Sequence, residues 1–291
     1  MKSNVNRTYT LSILNPRRMN TLILGLLVVL AAIWLMPFLW MVSLSFQPNE
    51  LLARDTGNTL LGLVPFPFTV ENYQSLLSYG QTPWWFLNSV IVSGSTTILV
   101  LLLSSLAGYA FARIEFSGKK VIYPIVLAGL VIPEQAIFIP LYTLFADLGW
   151  HNTYSALVLP RVALPIGVFM MTQFFKEIPE DLTEAARLDG VGHVRCFIYI
   201  FMPLAKPVLT TLGIITFLYS WNDYLWPLVS AQRPDMFTIT VGLASIQGNF
   251  AQSEGLGRLM ASGVFASLPV IAAYLMFQKY IIQGFALGGE K

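Results

Sequence analysis

Five polar side chains stand inside long apolar runs of this chain, where a charged or amide group is costly to keep. Glu134 and Gln135 follow Pro133, Arg161 follows Pro160, and Asn222 and Asp223 lie between Trp221 and Tyr224. Polar groups in such positions face a protein interior or a watery cavity, and by default they mark a functional pathway. A concave site fixes a solute with a few polar groups set against apolar and aromatic walls. Trp221, Tyr224 and Trp226 could supply those walls. Arg161 could hold a carboxylate or phosphate through two charge-assisted hydrogen bonds. The competing reading assigns the tryptophans to an interfacial aromatic belt and the polar groups to interhelical hydrogen bonds or gating. Residue types alone leave both readings open.

Chemistry that makes or breaks bonds finds no support. His151 and His193 are the two histidines and Cys196 the one cysteine, too few and too separated for a zinc site. One cysteine permits no intrachain disulfide, and its bland role is that of a small packed residue. A phosphate-binding loop requires Gly-x-x-x-x-Gly-Lys-Ser/Thr. The near match, Gly118-Lys119-Lys120, lacks the first glycine and the hydroxyl. No catalytic, metal-binding or cofactor-binding set is expected on this chain.

The elements that must position these residues are membrane helices. Of 291 residues 55% are hydrophobic and 11% charged, with mean hydropathy +0.65. Soluble domains carry about 25% charged residues, so this chain belongs in lipid. A formal charge of +2 is too small to point to nucleic acid. A bilayer core needs about 20 apolar residues per helix. Six runs qualify, at 21–46, 86–111, 121–145, 155–175, 207–229 and 259–282. The first is far longer than the apolar core of a signal peptide and reads as a retained anchor. Residues 1–20 precede it, 47–85 form the first loop, 86–282 the core with a polar loop at 176–206, and 283–291 the tail. Pro133 and Pro140, then Pro160, Pro165 and Gly167, are expected to interrupt the third and fourth runs, and Pro269 the last. Broken helices persist in lipid where protein or a cavity satisfies the freed backbone groups.

Basic residues orient the bundle. Lys2, Arg7, Arg17 and Arg18 precede the first run; Arg113, Lys119 and Lys120 follow the second; Lys176, Arg187, Arg195 and Lys206 follow the fourth; Lys279 and Lys291 close the chain. The alternate loops hold Arg54, Arg233 and Arg258. The positive-inside rule places both termini and the 176–206 loop in the cytoplasm.

That loop carries the most specific motif. Pro179-Glu180-Asp181 reads as a helix start, with proline at the first helical position, and Asp189-Gly190 as a stop with a left-handed cap. The expected helix is about three turns long. Leu182, Ala185, Ala186 and Asp189 share one face at i, i+3, i+4, i+7, thin enough to enter a partner's cleft. A second helical piece is expected over 191–201. Glu184-Ala185-Ala186, then Gly190, then Ile200-Phe201-Met202-Pro203 resembles the EAA…G…I-x-L-P loop of permease subunits of binding-protein-dependent ABC importers. Met202 stands where that pattern has leucine, a volume-conserving exchange.

Further segments resemble the carbohydrate-uptake branch of that family, of the type of the smaller maltose-transporter membrane subunit. They are Phe68 to Tyr73, Asn88-Ser89, Gly108 to Arg113 with Phe116-Ser117-Gly118, Trp221 to Pro227, and Ile282 to Phe285 with Gly288-Gly289. The resemblance runs from about residue 20 to the end. It implies an all-α polytopic membrane protein with the six-helix transmembrane domain of a type I ABC importer, in the bacterial cytoplasmic (inner) membrane. It implies a second homologous permease, two ATPase subunits that hold ATP and Mg, and an extracytoplasmic solute-binding protein. The solute would be a carbohydrate, neutral or anionic such as a uronate oligosaccharide. A permease for another small solute, or an ion-coupled secondary transporter using Glu134 and Asp223, are the alternatives; secondary transporters often show internal repeats, and none is evident here.

The topology is directly testable. With Cys196 replaced by serine, a cysteine at position 184 should react with a membrane-impermeant thiol reagent only after cells are opened. Cysteines at 54 and 233 should react in intact cells. Labelling of position 184 from outside would reject the orientation.

Overall fold

A computed structural model describes residues 16–54, 67–78, 81–249 and 255–288. The N-terminal fifteen residues, part of the first loop and the last three residues lie outside the described residues, so the expectations for those segments stay as read from sequence. Among the described residues the chain is helical, with no strand.

Fifteen helices follow in order: α1 (Pro16–Ser45), α2 (Asn49–Arg54), α3 (Glu71–Ser78), α4 (Thr82–Arg113), α5 (Lys119–Ala128), α6 (Glu134–Asp147), α7 (Tyr154–Val158), α8 (Pro165–Glu177), α9 (Asp181–Leu188), α10 (His193–Cys196), α11 (Met202–Leu204), α12 (Lys206–Trp221), α13 (Leu225–Ser230), α14 (Ile239–Asn249) and α15 (Leu256–Gly288). Three are long and apolar enough to cross a bilayer over Ile23–Ser45, Thr82–Arg113 and Leu256–Gln278. Two bent pairs raise the number to five if each pair is one span: Tyr154–Arg161 with Pro165–Glu177 at 47°, and His193–Leu204 with Lys206–Trp221 at 77°. The expected third span is divided into α5 and α6, ten and fourteen residues long, each too short alone.

Proline chemistry explains the divisions. Pro133 cannot donate to the carbonyl of Gly129 and clashes with a helical turn there, so α5 ends and α6 starts at Glu134. Gly129 also sits so close to Pro165 that a Cβ would meet the ring at 2.8 Å. Pro227 acts in the same way on the fifth span, which was expected to run unbroken to residue 229. It cannot bond the Asp223 carbonyl, and the Thr240 hydroxyl donates to that oxygen instead at 2.7 Å. The helix therefore stops at Trp221 and resumes at Leu225.

Helix α4 is the spine, packed along α8 and α12. Its small residues allow close approach, as membrane helices require when no hydrophobic force separates lipid from side chain. At Gly108 a Cβ would lie 2.5 Å from that of Met171. The end of α4 near Thr82 holds the segment before α14 through side chains. Trp85 Nε1 donates to the Pro234 carbonyl at 2.8 Å, and Asn88 Nδ2 donates to those of Asp235 and Phe237. Tyr154 donates to Asn88 Oδ1, and the Ile239 amide donates to Ser89 Oγ. Asn72 ties α3 to the end of α1, donating to the carbonyls of Ser45 and Gln47. These bonds give physical reasons for the Asn72 and Asn88-Ser89 segments singled out in the sequence. They satisfy backbone groups where non-helical chain enters the bundle.

Candidate functional site

Three helix interruptions meet at one place, and each delivers an ionisable side chain. Glu134 is the first residue of α6, directly after the Pro133 break. Arg161 ends the 3-10 turn Leu159–Arg161 that separates α7 from α8. Asp223 lies in the gap between α12 and α13. Arg161 Nε and Nη2 both reach Asp223 Oδ2, at 2.9 and 2.8 Å, while Nη1 reaches Glu134 Oε1 at 2.6 Å. The guanidinium lies over the Tyr219 ring, 4.8 Å from its centroid, and the Tyr219 hydroxyl donates to Glu134 Oε2. Arg161 and Asp223 side chains are each 11% exposed, whereas Glu134 is 42% exposed. The Arg161–Asp223 pair is thus the buried strut and Glu134 the accessible arm. Removing one member of a buried ion pair leaves the other uncompensated, at a cost of about 3–5 kcal/mol.

The cluster divides two spaces. On one side is a cavity of about 190 Å³ bounded by Thr96, Thr216 and Trp226; on the other is a groove of about 700 Å³ bounded by Gln135, Asn222, Asp223 and Tyr224. Glu134, Phe138, Arg161 and Tyr219 border both. The structure therefore brings together Glu134, Gln135, Arg161, Asn222, Asp223 and Tyr224. It turns Trp221 away. That ring is 2% exposed, stacks with Phe217, meets Phe86 edge-on, and donates to the Ala266 carbonyl at 3.1 Å. Trp221 is the last residue of α12, packed on the bundle, whereas Asp223 lies past the helix end, where the chain has turned toward Arg161. Trp226 borders the cavity but is anchored in packing, donating to the Ala156 carbonyl between Phe138 and Phe145.

Sequence reading missed Tyr219, Thr216 and Thr96. Thr216 and Tyr219 lie three apart on α12, on a largely apolar helix, and Asp223 follows just past its end. That spacing was the available signal.

The opposite end of the bundle carries the polar loop. Helix α9 has eight residues, about two turns rather than three. Ile178 is extended (ψ 131°), as expected before proline, so Pro179 precedes the helix instead of occupying its first turn. The Glu180 carbonyl accepts from the amides of Thr183 and Glu184. The C-terminal expectation holds: Gly190 has φ +74°, and the Val191 amide bonds the Ala186 carbonyl at 2.8 Å, the six-to-one bond of a Schellman cap. The face assignment needs correction. Thr183 and Ala186, three apart, point inward, while Leu182, Glu184, Ala185 and Asp189 are exposed. Ala186 seats α9 on its own bundle, so the surface open to a partner is Leu182, Ala185, Leu188 and Asp189, with Leu188 89% exposed. The Arg187 side chain lies outside the described residues.

Ala186 rests on a cluster of Tyr109, Phe175, Ile178, Cys196, Phe197 and Phe201. Residues 197–201, including the half-buried Ile200, form a π-helical turn before α11, whose Pro203 is exposed. Arg113, at the end of α4, caps α8 from outside: its Nε donates to the Phe175 carbonyl at 3.0 Å and its Nη2 also donates to that of Ile178. The guanidinium lies 5.2 Å from the Phe201 ring centre. These packed rings join the seat of α9 to α4, α8 and α12.

This combination, an all-helical membrane bundle with interrupted spans and a capped surface helix between the fourth and fifth, defines a transport permease subunit. The family model for the inner membrane component of binding-protein-dependent transport systems matches residues 101–286, and the chain belongs to that family. Membership removes the ion-coupled secondary transporter. The chain is 36% identical to the arabinooligosaccharides transport system permease protein AraQ of Halalkalibacterium halodurans, over 90% of this chain and 93% of that one. It is 35% identical to the trehalose/maltose transport system permease protein MalG of Thermococcus litoralis, over 91% and 94%. It is 34% identical to the diacetylchitobiose uptake system permease protein NgcG of Streptomyces coelicolor, over 92% and 87%. A chain of a bacterial ABC transporter that imports the acidic polysaccharide alginate superposes with TM-score 0.80 at 21% identity, covering 91% of this chain and 96% of that one. That likeness shows the fold of an ABC importer membrane domain.

The Gly190 cap yields a prediction. No atom lies within 4 Å of an added Cβ, so the cost of a side chain there is conformational. Gly190→Val should destabilise the cap by about 2 kcal/mol, since β-branched residues resist positive φ. Amide hydrogen exchange across 183–191 should accelerate about thirtyfold, while α4 is unchanged. Unaltered exchange in α9 would contradict the cap.

Proposed function

We propose that this chain is one of two membrane subunits of an ATP-driven importer that takes up an oligosaccharide delivered by an extracytoplasmic solute-binding protein. The observation that carries this reading is its likeness, over about nine-tenths of both chains, to permeases for arabinooligosaccharides, trehalose or maltose, and diacetylchitobiose. The second membrane subunit is a homologous permease. Two ATPase subunits bind ATP and Mg, and this chain binds neither. The exposed face of α9, with Leu182, Glu184, Ala185 and Asp189, enters an ATPase cleft, and both chain termini share that cytoplasmic side.

Closure of the ATPases moves α9 as a body, because its Gly190 cap and Ala186 seat tie it to the aromatic cluster. The cluster then shifts the ends of α4, α8 and α12, which hold Arg161 and Asp223 at their far ends. Solute passes along Glu134, Gln135, Arg161, Asn222, Asp223 and Tyr224. A neutral and an acidic carbohydrate differ in how they would meet this line of charges.

Reconstitution tests the reading. The purified chain alone in proteoliposomes should neither hydrolyse ATP nor take up sugar. Adding the second permease, the ATPase and the solute-binding protein should give ATP-dependent oligosaccharide uptake, and Ala185→Trp should abolish it by overfilling the cleft. Uptake by the chain alone, or normal uptake by Ala185→Trp, would overturn the assignment.

A further inference from the structure

The charge cluster and the cavity beneath it bear on the class of carbohydrate. Arg161 is the basic side chain of the pathway, and it is already engaged by two carboxylates, Asp223 through two of its nitrogens and Glu134 through the third. One cation against two carboxylates leaves the group with a net negative charge. The guanidinium face is occupied by the Tyr219 ring. An acidic sugar can engage Arg161 only by displacing Glu134, the accessible arm, because the remaining nitrogens are held by the buried Asp223.

The cavity itself offers hydroxyl partners instead. Thr96 and Thr216 line it, are 1% and 3% exposed, and hold hydroxyl groups with no hydrogen-bond partner. Buried hydroxyls are normally satisfied, and of several in the bundle without a partner these two border the cavity, where a bound group can complete their bonding. Glu134 and Tyr219 stand at the mouth with one exposed carboxylate and one phenol. Phe138 and Trp226 add aromatic wall. A carboxylate and hydroxyls against aromatic surface match the hydroxyls and apolar faces of an uncharged sugar ring.

Resting on the reading of the chain as a carbohydrate permease, we propose that this cavity is a subsite for uncharged sugar residues, with Glu134 as the residue that sets selectivity by charge. Glu134 and Tyr219 receive the sugar's hydroxyls at the mouth, and Thr96 and Thr216 complete their bonding at the base. A uronate residue meets net negative charge at close range and is repelled.

The test measures equilibrium binding of radiolabelled xylotriose and of trigalacturonate to the assembled importer in lipid nanodiscs, with no solute-binding protein present. The wild type should bind xylotriose and bind trigalacturonate at least about tenfold more weakly, the effect of one unscreened like charge a few ångströms away. Glu134→Gln keeps the shape and removes the charge. It should weaken xylotriose binding a few-fold and bring the ratio of the two affinities near unity. Thr216→Val should weaken xylotriose binding with the ratio unchanged. Equal binding of the two sugars by the wild type, or a ratio unmoved by Glu134→Gln, would overturn the proposal. Binding of neither sugar would overturn the subsite as well. The importer reading would survive that outcome, because it stands on uptake in the reconstituted system.

Discussion

The pairing of Arg161 with Asp223 is the constraint on which the pathway depends. Each residue lies at an interruption of its helix, where carbonyl and amide groups lose their helical partners. In a bilayer those groups cannot turn to water, and a break is stable only where protein closes it. The strut fastens the break between α7 and α8 to the end of α12, and Glu134 draws in the start of α6. Three discontinuities that would each be a liability alone become the walls of one cavity. The charges in turn are tolerated because Arg161 pairs with the buried Asp223, the second carboxylate is partly exposed, and all stand where the helices have already opened.

The opposite end of the bundle is built on different physics. There the contacts are aromatic and apolar, from Tyr109 to Phe201, with Arg113 closing the end of α8. Packed rings have few alternative arrangements, so under the proposed coupling a displacement at α9 would propagate as a rigid shift. The same helices, α4, α8 and α12, run from this cluster to the strut. One end is suited to receiving force and the other to changing the width of a polar passage.

Much of this was legible in the residues, and the failures have identifiable causes. Pro133, Pro160 and Pro165 located interruptions, because a missing N–H breaks the helical ladder in any fold. Pro140, Gly167 and Pro269 instead lie inside α6, α8 and α15, and the break before Pro227 was not expected. The Asp189-Gly190 cap was readable because a left-handed residue with no steric penalty is a local property. Trp221 and Asp223 are close in sequence, but the helix ends between them and the chain turns Asp223 toward Arg161 while Trp221 packs on the bundle. Ala186 was put on the outward face because an eight-residue helix offers too short a pattern to decide between two neighbouring stripes. Tyr219 and the two threonines escaped because aromatic and small hydroxyl residues are unremarkable in membrane helices until a cavity gives them a common purpose. The close approach of Gly129 to Pro165 was not legible, because it is a contact between distant segments.

The central claim is that Arg161 and Asp223 act as one strut with Glu134 as its lighter arm, and a double-mutant cycle on the assembled importer in nanodiscs measures it most directly. Arg161→Met and Asp223→Leu should each lower thermal stability by the equivalent of about 3 kcal/mol, and the double variant by much less than the sum, a coupling of at least about 1.5 kcal/mol. Arg161→Met combined with Glu134→Gln should show a coupling of no more than about 0.5 kcal/mol, the scale of an exposed pair. Additive losses for Arg161 and Asp223 would contradict the account.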